Sequence, residues 1–317
     1  MTREAPEVLD AAAVGAALPM PAAITAVRSA LSAGLDPEAD PPRSVVPVRH
    51  GQLLLMPAEW GGYAGVKLAS VAPANPAAGR PRVQGSYLLL DAGTLAPLAV
   101  LDGIALTVIR TAAVSALAVA QLAEPDAARL LVFGAGPQAR GHVTALRAVR
   151  PVREVVVVSR NQDRAAAFAA ECADGGLDAR VGTAAEVAGA DLVACCTTAR
   201  EPLFDGAALR SSATVVAIGS HEPDAREVDS TTVCRATVVV EARSAALREA
   251  GDVIAPVRAG LIEPAGLIGL AELVRDEVPP AAGRPRLFKS VGMAWEDLVI
   301  AASSYNKASH ASREKPQ

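Results

Sequence analysis

Two kinds of apolar patterning follow one another along the chain, and their order divides it into two parts. From Met20 to Leu31 apolar residues recur at helical spacing, with Pro21 near the start and Gly34 just past the end, which predicts an amphipathic helix. The pattern then changes to short β-rich runs bounded by Gly and Pro: Ser44 to Val48, Gln52 to Met56, Gly65 to Ser70, Val83 to Asp91 and Pro97 to Asp102. Runs of this kind predict an antiparallel meander. Thr111 to Ala123, TAAVSALAVAQLA, predicts an alanine-rich helix leading into the second part.

In that second part strands and helices alternate. Arg129 to Arg160 reads as an apolar strand, a GAGPQA turn, a helix and a second apolar strand. A helix over Ala165 to Ala173, a short strand near Ala179 to Val181, and strands at Leu192 to Cys196, Thr214 to Ile218 and Thr237 to Val240 follow. Alternation of this type predicts a parallel, doubly wound α/β sheet. Leu287 to Lys307 predicts a glycine-containing turn and an amphipathic helix that returns to the first part, and Ser309 to Gln317 is expected to be unstructured.

The turn GAGPQA carries chemistry. Gly134 permits a tight strand-to-helix turn, Gly136 lets the backbone approach a pyrophosphate held on amides at the helix start, where Pro137 opens the helix and Gln138 follows, and Ala139 is small enough for close helix–strand packing. Lodged between two β-branched strands, the motif marks a nicotinamide or flavin nucleotide site. In such sheets ligands lie outside the strand C-termini. The ends of DLVACCTT (Asp191 to Thr198) and TVVAIGS (Thr214 to Ser220) are therefore expected to face the nicotinamide half. The second nucleotide strand ends in Val158, Ser159, Arg160 and Asn161, with no acid until Asp163. An acid there binds the ribose diol of NAD, whereas Arg accommodates a 2′-phosphate. NADPH is the expected cofactor, with NADH as the alternative.

Composition narrows the classes. The chain has 317 residues, enough for about two domains. Aromatics are only 3% against 51% hydrophobic residues, so the core must be built from Ala, Val and Leu. A net charge of -4 offers no electrostatic footprint for nucleic acid or an anionic membrane. The start, MTREAPEVLD, has acids where a signal peptide needs bases, and Pro21 breaks the next apolar stretch, so a cytoplasmic protein is expected. Cys172, Cys195, Cys196 and Cys234 form no CxxC pair and are read as buried free thiols, with no metal site.

Arg43, Lys67 and Arg110 lie in or beside predicted strands. Taken singly, each reads as a solvated charge on a sheet face; in an apolar setting each needs an internal acid or an anionic ligand. Arg can grip a carboxylate through two parallel hydrogen bonds.

PPRSVVPV (Pro41 to Val48), IRTAAVSALA (Ile109 to Ala118), GAGPQA, IGSHEPDAREVD (Ile218 to Asp229) and LFKSVGMAWEDL (Leu287 to Leu298) together resemble the ornithine cyclodeaminase/mu-crystallin family, in order and over nearly the whole chain. The resemblance implies a Rossmann-type doubly wound parallel sheet plus a mainly antiparallel substrate and dimerisation domain. The latter is formed by N- and C-terminal segments, residues 1–112 and 290–317, around a nucleotide domain at 113–289. It further implies a homodimer acting on a small imino or amino acid. By family position Arg43, Lys67 and Arg110 bind the substrate carboxylate. Lys67 has a second role open to it, because an ammonium beside an imine nitrogen can hold or deliver a proton. Thr111, Thr197, Thr198, Gly219, Ser220, Val291 and Gly292 match positions along the cofactor. Ser159, Arg160 and Asn161 resemble the NADPH-contacting stretch of the mu-crystallin branch.

One departure from the family pattern concerns the reaction itself. The cyclodeaminase branch places a catalytic Asp two residues before the proline of the loop Ile218 to Asp229, and His221 stands there in this chain. A histidine can act as acid or base near neutral pH. The mu-crystallin branch also lacks the Asp and reduces ketimines. The expected activity is NAD(P)H-dependent reduction of a small cyclic α-imino acid such as pyrroline- or piperideine-2-carboxylate, with Lys67 and His221 as candidate catalytic residues. Ornithine or lysine cyclodeamination, amino-acid dehydrogenation, and non-catalytic binding of NADPH or a small ligand stay open as alternatives.

Overall fold

Local caps set where the first elements begin. In the computed structural model, which describes residues 5–278 and 283–313, β1 (Glu7–Leu9) is followed by α1 (Ala11–Ala17), and Asp10 caps α1 by accepting from the Ala13 amide. Pro21 sits in the first turn of α2 (Met20–Ser32), where a missing N–H leaves no intrahelical bond unmade. The β-rich runs form β2 (Ser44–Val48), β3 (Gly51–Trp60), β4 (Tyr63–Val71), β5 (Val83–Asp91) and β6 (Pro97–Asp102). They pair antiparallel in chain order, and β1 adds in parallel to β6, giving the order β1-β6-β5-β4-β3-β2.

Strand alternation gives this sheet two different faces. Leu54 and Met56 of β3, Lys67 and Ala69 of β4, Tyr87 and Leu89 of β5, and Leu101 of β6 are buried. Their cross-strand register puts Met56, Lys67, Tyr87 and Leu101 in one row. On the opposite face Val46, Leu55, Leu68 and Val8 stay exposed.

The alanine-rich helix starts earlier than its sequence pattern implies. α3 runs Gly103–Leu122 because Asp102, at the end of β6, accepts from the Ile104 and Ala105 amides and starts the helix at once. Arg110 therefore lies on a helix and not beside a strand. At 20 residues α3 is long and apolar enough to cross a bilayer, yet two-thirds of it is buried within the protein, as in a core helix.

The second half builds β7 (Arg129–Phe133), α4 (Pro137–Arg147), β8 (Glu154–Val158), α5 (Gln162–Asp174), β9 (Asp178–Val181), β10 (Leu192–Cys195) and β11 (Thr214–Ala217). Then come α6 (Ser230–Arg235), β12 (Thr237–Val240), α7 (Arg243–Glu249), α8 (Gly251–Arg258), β13 (Ile268–Gly269), α9 (Leu270–Val274), β14 (Arg286–Lys289) and α10 (Ala294–Arg313). All eight strands pair in parallel, in the order β13-β12-β14-β11-β10-β7-β8-β9. Continuous apolar runs such as Val155 to Val157 are what a sheet buried on both faces requires.

Chain contacts divide the protein into two units, residues 1–110 with 293–317, and residues 111–292. Three sequence expectations are corrected here. Leu287 to Lys289, expected to belong to the glycine-containing turn region, lie in β14, a central strand between β11 and β12. Part of the segment expected to be unstructured, Ser309 to Arg313, belongs to α10, whereas residues 314–317 lie outside the described residues. Of the four thiols, Cys172 and Cys195 are buried but Cys196 and Cys234 are half-buried, because the latter two fall where their elements give way to turns.

Candidate active site

In the first unit two cations come together beneath the sheet. Lys67 points from β4 to the row shared with Tyr87, and its ammonium lies 2.6 Å from Asp297 Oδ2 and 3.4 Å from Thr107 Oγ1. Arg110, from the third turn of α3, donates through Nη1 to Glu296 and sets Nε 3.5 Å from Asp297 Oδ1. Lys67 and Arg110 are only 4% and 6% exposed, so neither is a solvated sheet-face charge. Asp40 caps α10 by accepting from the Ala294 and Trp295 amides, which fixes the turn carrying Glu296 and Asp297. Carboxylates in a first turn also complement the helix dipole.

Burial pushes the Lys67 ammonium down from its usual range to about 8; Asp297 pulls it back up, and Arg110 and Arg43 push it further down. Arg43, half-buried just before β2, thus acts on the same spot through its charge. The three sequence-predicted carboxylate binders are brought to one side of the first unit. Tyr87, fully buried with its phenol raised well above its ordinary range by burial and by Asp297 and Asp40, stands beside them.

The second unit holds the nucleotide motif. Gly134 has φ +108°, and a Cβ there would sit 2.5 Å from the Cys196 carbonyl oxygen, so this turn demands glycine. Gly136 is the N-cap of α4, Pro137 opens the helix, and Ala139 is fully buried against its neighbours. A side chain at Gly136 would meet nothing within 4 Å. That open side belongs to a cavity of about 510 Å³ lined by Ala135, Gly136, Ser159, Arg160, Asn161 and Arg164. Asn161 caps α5 through the Arg164 amide. Among the described residues neither Arg160 nor Arg164 makes an ion pair, and no carboxylate lines this cavity. The lining suits a nucleotide whose anionic groups meet amides and guanidinium groups. Gln138 gives its backbone carbonyl to His142 Nδ1, and His142 Nε2 lies 2.9 Å from Ser115 Oγ, which ties α4 to α3 within this unit.

The expected nicotinamide positions sit where buried acids hold the loops. The Thr197 amide and hydroxyl both donate to Glu227 Oε1, and the Gly219 amide donates to Oε2, so one carboxylate staples the ends of β10 and β11. A Cβ at Gly219 would overlap the Thr197 carbonyl oxygen, an approach that only glycine allows. Burial pushes the Glu227 carboxyl up, with Lys289 and the donated hydrogen bonds pulling it back. Lys289 lies 3.0 Å from Asp252 and donates to the Ser220 carbonyl, while Asp252 accepts from the Glu227 and Val228 amides. Ser220 turns its hydroxyl back to the Ala225 carbonyl. The amides of Val291 and Gly292 donate to Glu241, which also accepts from Ser290. Thr198 and His221 are exposed, the latter on the loop after β11, and Thr111 is buried on α3.

Asp297, Glu296, Glu227, Glu241, Asp252 and Lys289 were not singled out from sequence. Their signal was present: Glu241 closes the run TVVV and Lys289 follows Leu287 and Phe288, and a charge directly after apolar strand residues needs a buried partner. Arg164 needed the helix geometry, since its sequence position alone reads as a solvated helix charge.

Comparison with known proteins agrees with this architecture. The family model of the ornithine cyclodeaminase/mu-crystallin family matches residues 4–312. A Delta(1)-pyrroline-2-carboxylate reductase of Bacillus cereus is 36% identical over 286 residues, covering 84% of this chain and 87% of that protein. The ketimine reductase mu-crystallin of Mus musculus is 35% identical over 273 residues, covering 84% of each. The structure of Thermococcus litoralis Delta(1)-pyrroline-2-carboxylate reductase in complex with NADH and L-proline superposes with a TM-score of 0.91 at 32% identity, over 96% of this chain and 98% of that one. Whole-length matches in sequence and fold place the chain in one group: it belongs to the ornithine cyclodeaminase/mu-crystallin family.

Proposed function

We propose that the protein is an NADPH-dependent reductase of small cyclic α-imino acids, ketimines such as pyrroline- or piperideine-2-carboxylate, which it converts to the cyclic amino acid. The observation that carries this reading is the burial of Lys67 and Arg110 side by side in the first unit, in a chain whose relatives include named reductases of such substrates. When bound, a reduced nicotinamide supplies hydride to the imine carbon. Lys67 donates the proton that the imine nitrogen needs, so C=N becomes CH–NH. With its ammonium brought down to about 8, Lys67 is still protonated at neutral pH and gives up that proton more readily than an exposed lysine. Arg110 and Arg43 hold the substrate carboxylate, and His221 is a second proton source.

In this reading Gly134, Gly136, Pro137, Gln138 and Ala139 cradle the pyrophosphate. Thr111, Thr197, Thr198, Gly219, Ser220, Val291 and Gly292 shape the nicotinamide half. The preference for NADPH rests on Ser159, Arg160 and Arg164 around a cavity without carboxylates. The Thermococcus litoralis relative was solved with NADH, and the proposed preference for NADPH rests on this chain's own residues alone. The apolar outer face of the first sheet, with Leu55 and Leu68 paired across β3 and β4, supports a homodimer that covers it.

Oxidation of NADPH by a panel of cyclic imino acids, with ammonia release from ornithine and lysine followed in parallel, tests the proposal. Saturable NADPH oxidation without comparable ammonia release is expected. Ammonia release outpacing NADPH oxidation overturns it in favour of cyclodeamination, and nucleotide binding with no turnover overturns it in favour of a binding protein.

A further inference from the structure

We propose that Asp297 is the positioning residue of the reaction: it holds the Lys67 ammonium in place and charged, so that the proton destined for the imine nitrogen is present when substrate arrives. This rests on the reading of Lys67 as the proton donor. Among the described residues Asp297 is the carboxylate within ion-pair distance of Lys67, at 2.6 Å. Glu296, its neighbour on α10, is directed to Arg110. Every other influence on Lys67 disfavours the ammonium or leaves it alone. β4 buries it, α3 sets Arg110 beside it with only the Thr107 hydroxyl as a neutral partner, and Arg43 adds a second like charge. From β5 comes the neutral phenol of Tyr87, and Asp40 is occupied with the amides that start α10.

The arrangement solves a particular chemical problem. A proton donor for an imine must be charged in the resting state yet ready to part with its proton. Burial alone would leave a neutral amine, and an exposed ion pair would hold the proton too firmly. Burial opposed by one short contact to a carboxylate brings Lys67 to about 8, between these limits. Because Asp40 caps the turn that carries it, Asp297 has little freedom to follow a moving lysine. Orientation of Nζ is therefore set by the helix and not by the strand alone.

The chain has four lysines, Lys67, Lys289, Lys307 and Lys315, so lysine labelled with ¹³C at Cε gives a countable NMR spectrum, with Lys67→Arg identifying the resonance. The parent Lys67 is expected to titrate near 8. In Asp297→Asn its proton affinity should fall at least roughly tenfold, because burial and the Arg110 charge are then unopposed. Asp297→Glu, which keeps the charge, should stay within about threefold of the parent. Where Asp297→Asn does not fold, Asp297→Ser carries the same readout. The alkaline limb of kcat for imine reduction should move down with the titration in the Asn variant, while the KM for NADPH stays unchanged. A purely structural aspartate would move neither. An unchanged Lys67 titration in the Asn and Ser variants overturns the inference whatever the activity. A titration that moves without the alkaline limb following overturns instead the role of Lys67 as proton donor, and with it the place of Asp297 in the reaction.

Discussion

Removing Arg110 is the perturbation that most sharply separates its structural and functional duties. Its guanidinium is buried against Glu296 and Asp297, whose side chains are fully enclosed. Asp297 retains Lys67 at 2.6 Å when Arg110 is cut away, but Glu296 loses its cation. Deleting one member of a buried ion pair costs about 3–5 kcal/mol, a large share of the roughly 5–15 kcal/mol by which a folded protein is stable. Arg110→Met should therefore lower the denaturant midpoint markedly. The double variant Arg110→Met with Glu296→Gln should recover most of that loss, since replacing both members of a buried pair is close to neutral. Activity should not recover with it. The substrate clamp is still broken, and loss of one side of a buried carboxylate contact costs about 2–5 kcal/mol in substrate binding. Chemical denaturation and steady-state kinetics on the parent and both variants give the answer. A single variant within about 1 kcal/mol of the parent would refute an energetically significant buried pair. A double variant with parental KM for the imino acid would refute the carboxylate role.

Three further outcomes follow from other parts of the structure. Arg160→Asp should shift preference from NADPH to NADH by placing a ribose-binding acid in the polar cavity, and an unaltered protein that uses NADH as well as NADPH contradicts the assignment. Leu68→Glu, on the exposed sheet face opposite Lys67, should convert a dimer to monomers in light scattering; a parent that is monomeric at micromolar concentration ends the dimer proposal. Gly134→Ala should abolish tight nucleotide binding and lower stability by at least about 1–3 kcal/mol, because φ +108° and a 2.5 Å approach to the Cys196 oxygen both exclude a methyl group; parental affinity in calorimetry would contradict that turn geometry.

The parts of this molecule legible from sequence are those whose physics is local. The period-two runs from Ser44 to Asp102 and the valine-rich strands announce themselves through alternation or unbroken hydrophobicity, and Gly134 through a turn that demands glycine, with Gly136 marked by its spacing from it. Elements of five to eight residues, α6 to α9, are too short for helical periodicity to show. The strand Arg286–Lys289 has no local cue for its place between β11 and β12, because that position is decided by tertiary pairing. In the candidate site the cations were legible and their anions were not. Lys67 and Arg110 stand out in apolar surroundings, whereas Glu296 and Asp297 read as ordinary first-turn acids of an amphipathic helix until the fold returns that helix to the sheet. Burial decides which reading of an acid is right, and burial is a property of the whole chain.

The most direct test of the central claim is a comparison on the unaltered protein: the kcat/KM for NADPH oxidation with pyrroline-2-carboxylate or piperideine-2-carboxylate, set beside that for ammonia release from ornithine. Imine reduction needs a carboxylate clamp, a proton donor and an oriented hydride. Cyclodeamination needs in addition an acid at the position of His221, where an exposed imidazole lacks the fixed negative charge that stabilises a developing ammonium. Reduction of a cyclic ketimine exceeding ammonia release by at least about a hundredfold, the scale on which a lost acid–base group is felt, is the predicted result. Robust conversion of ornithine to proline with release of ammonia, and no faster reduction of either imine, would contradict the account.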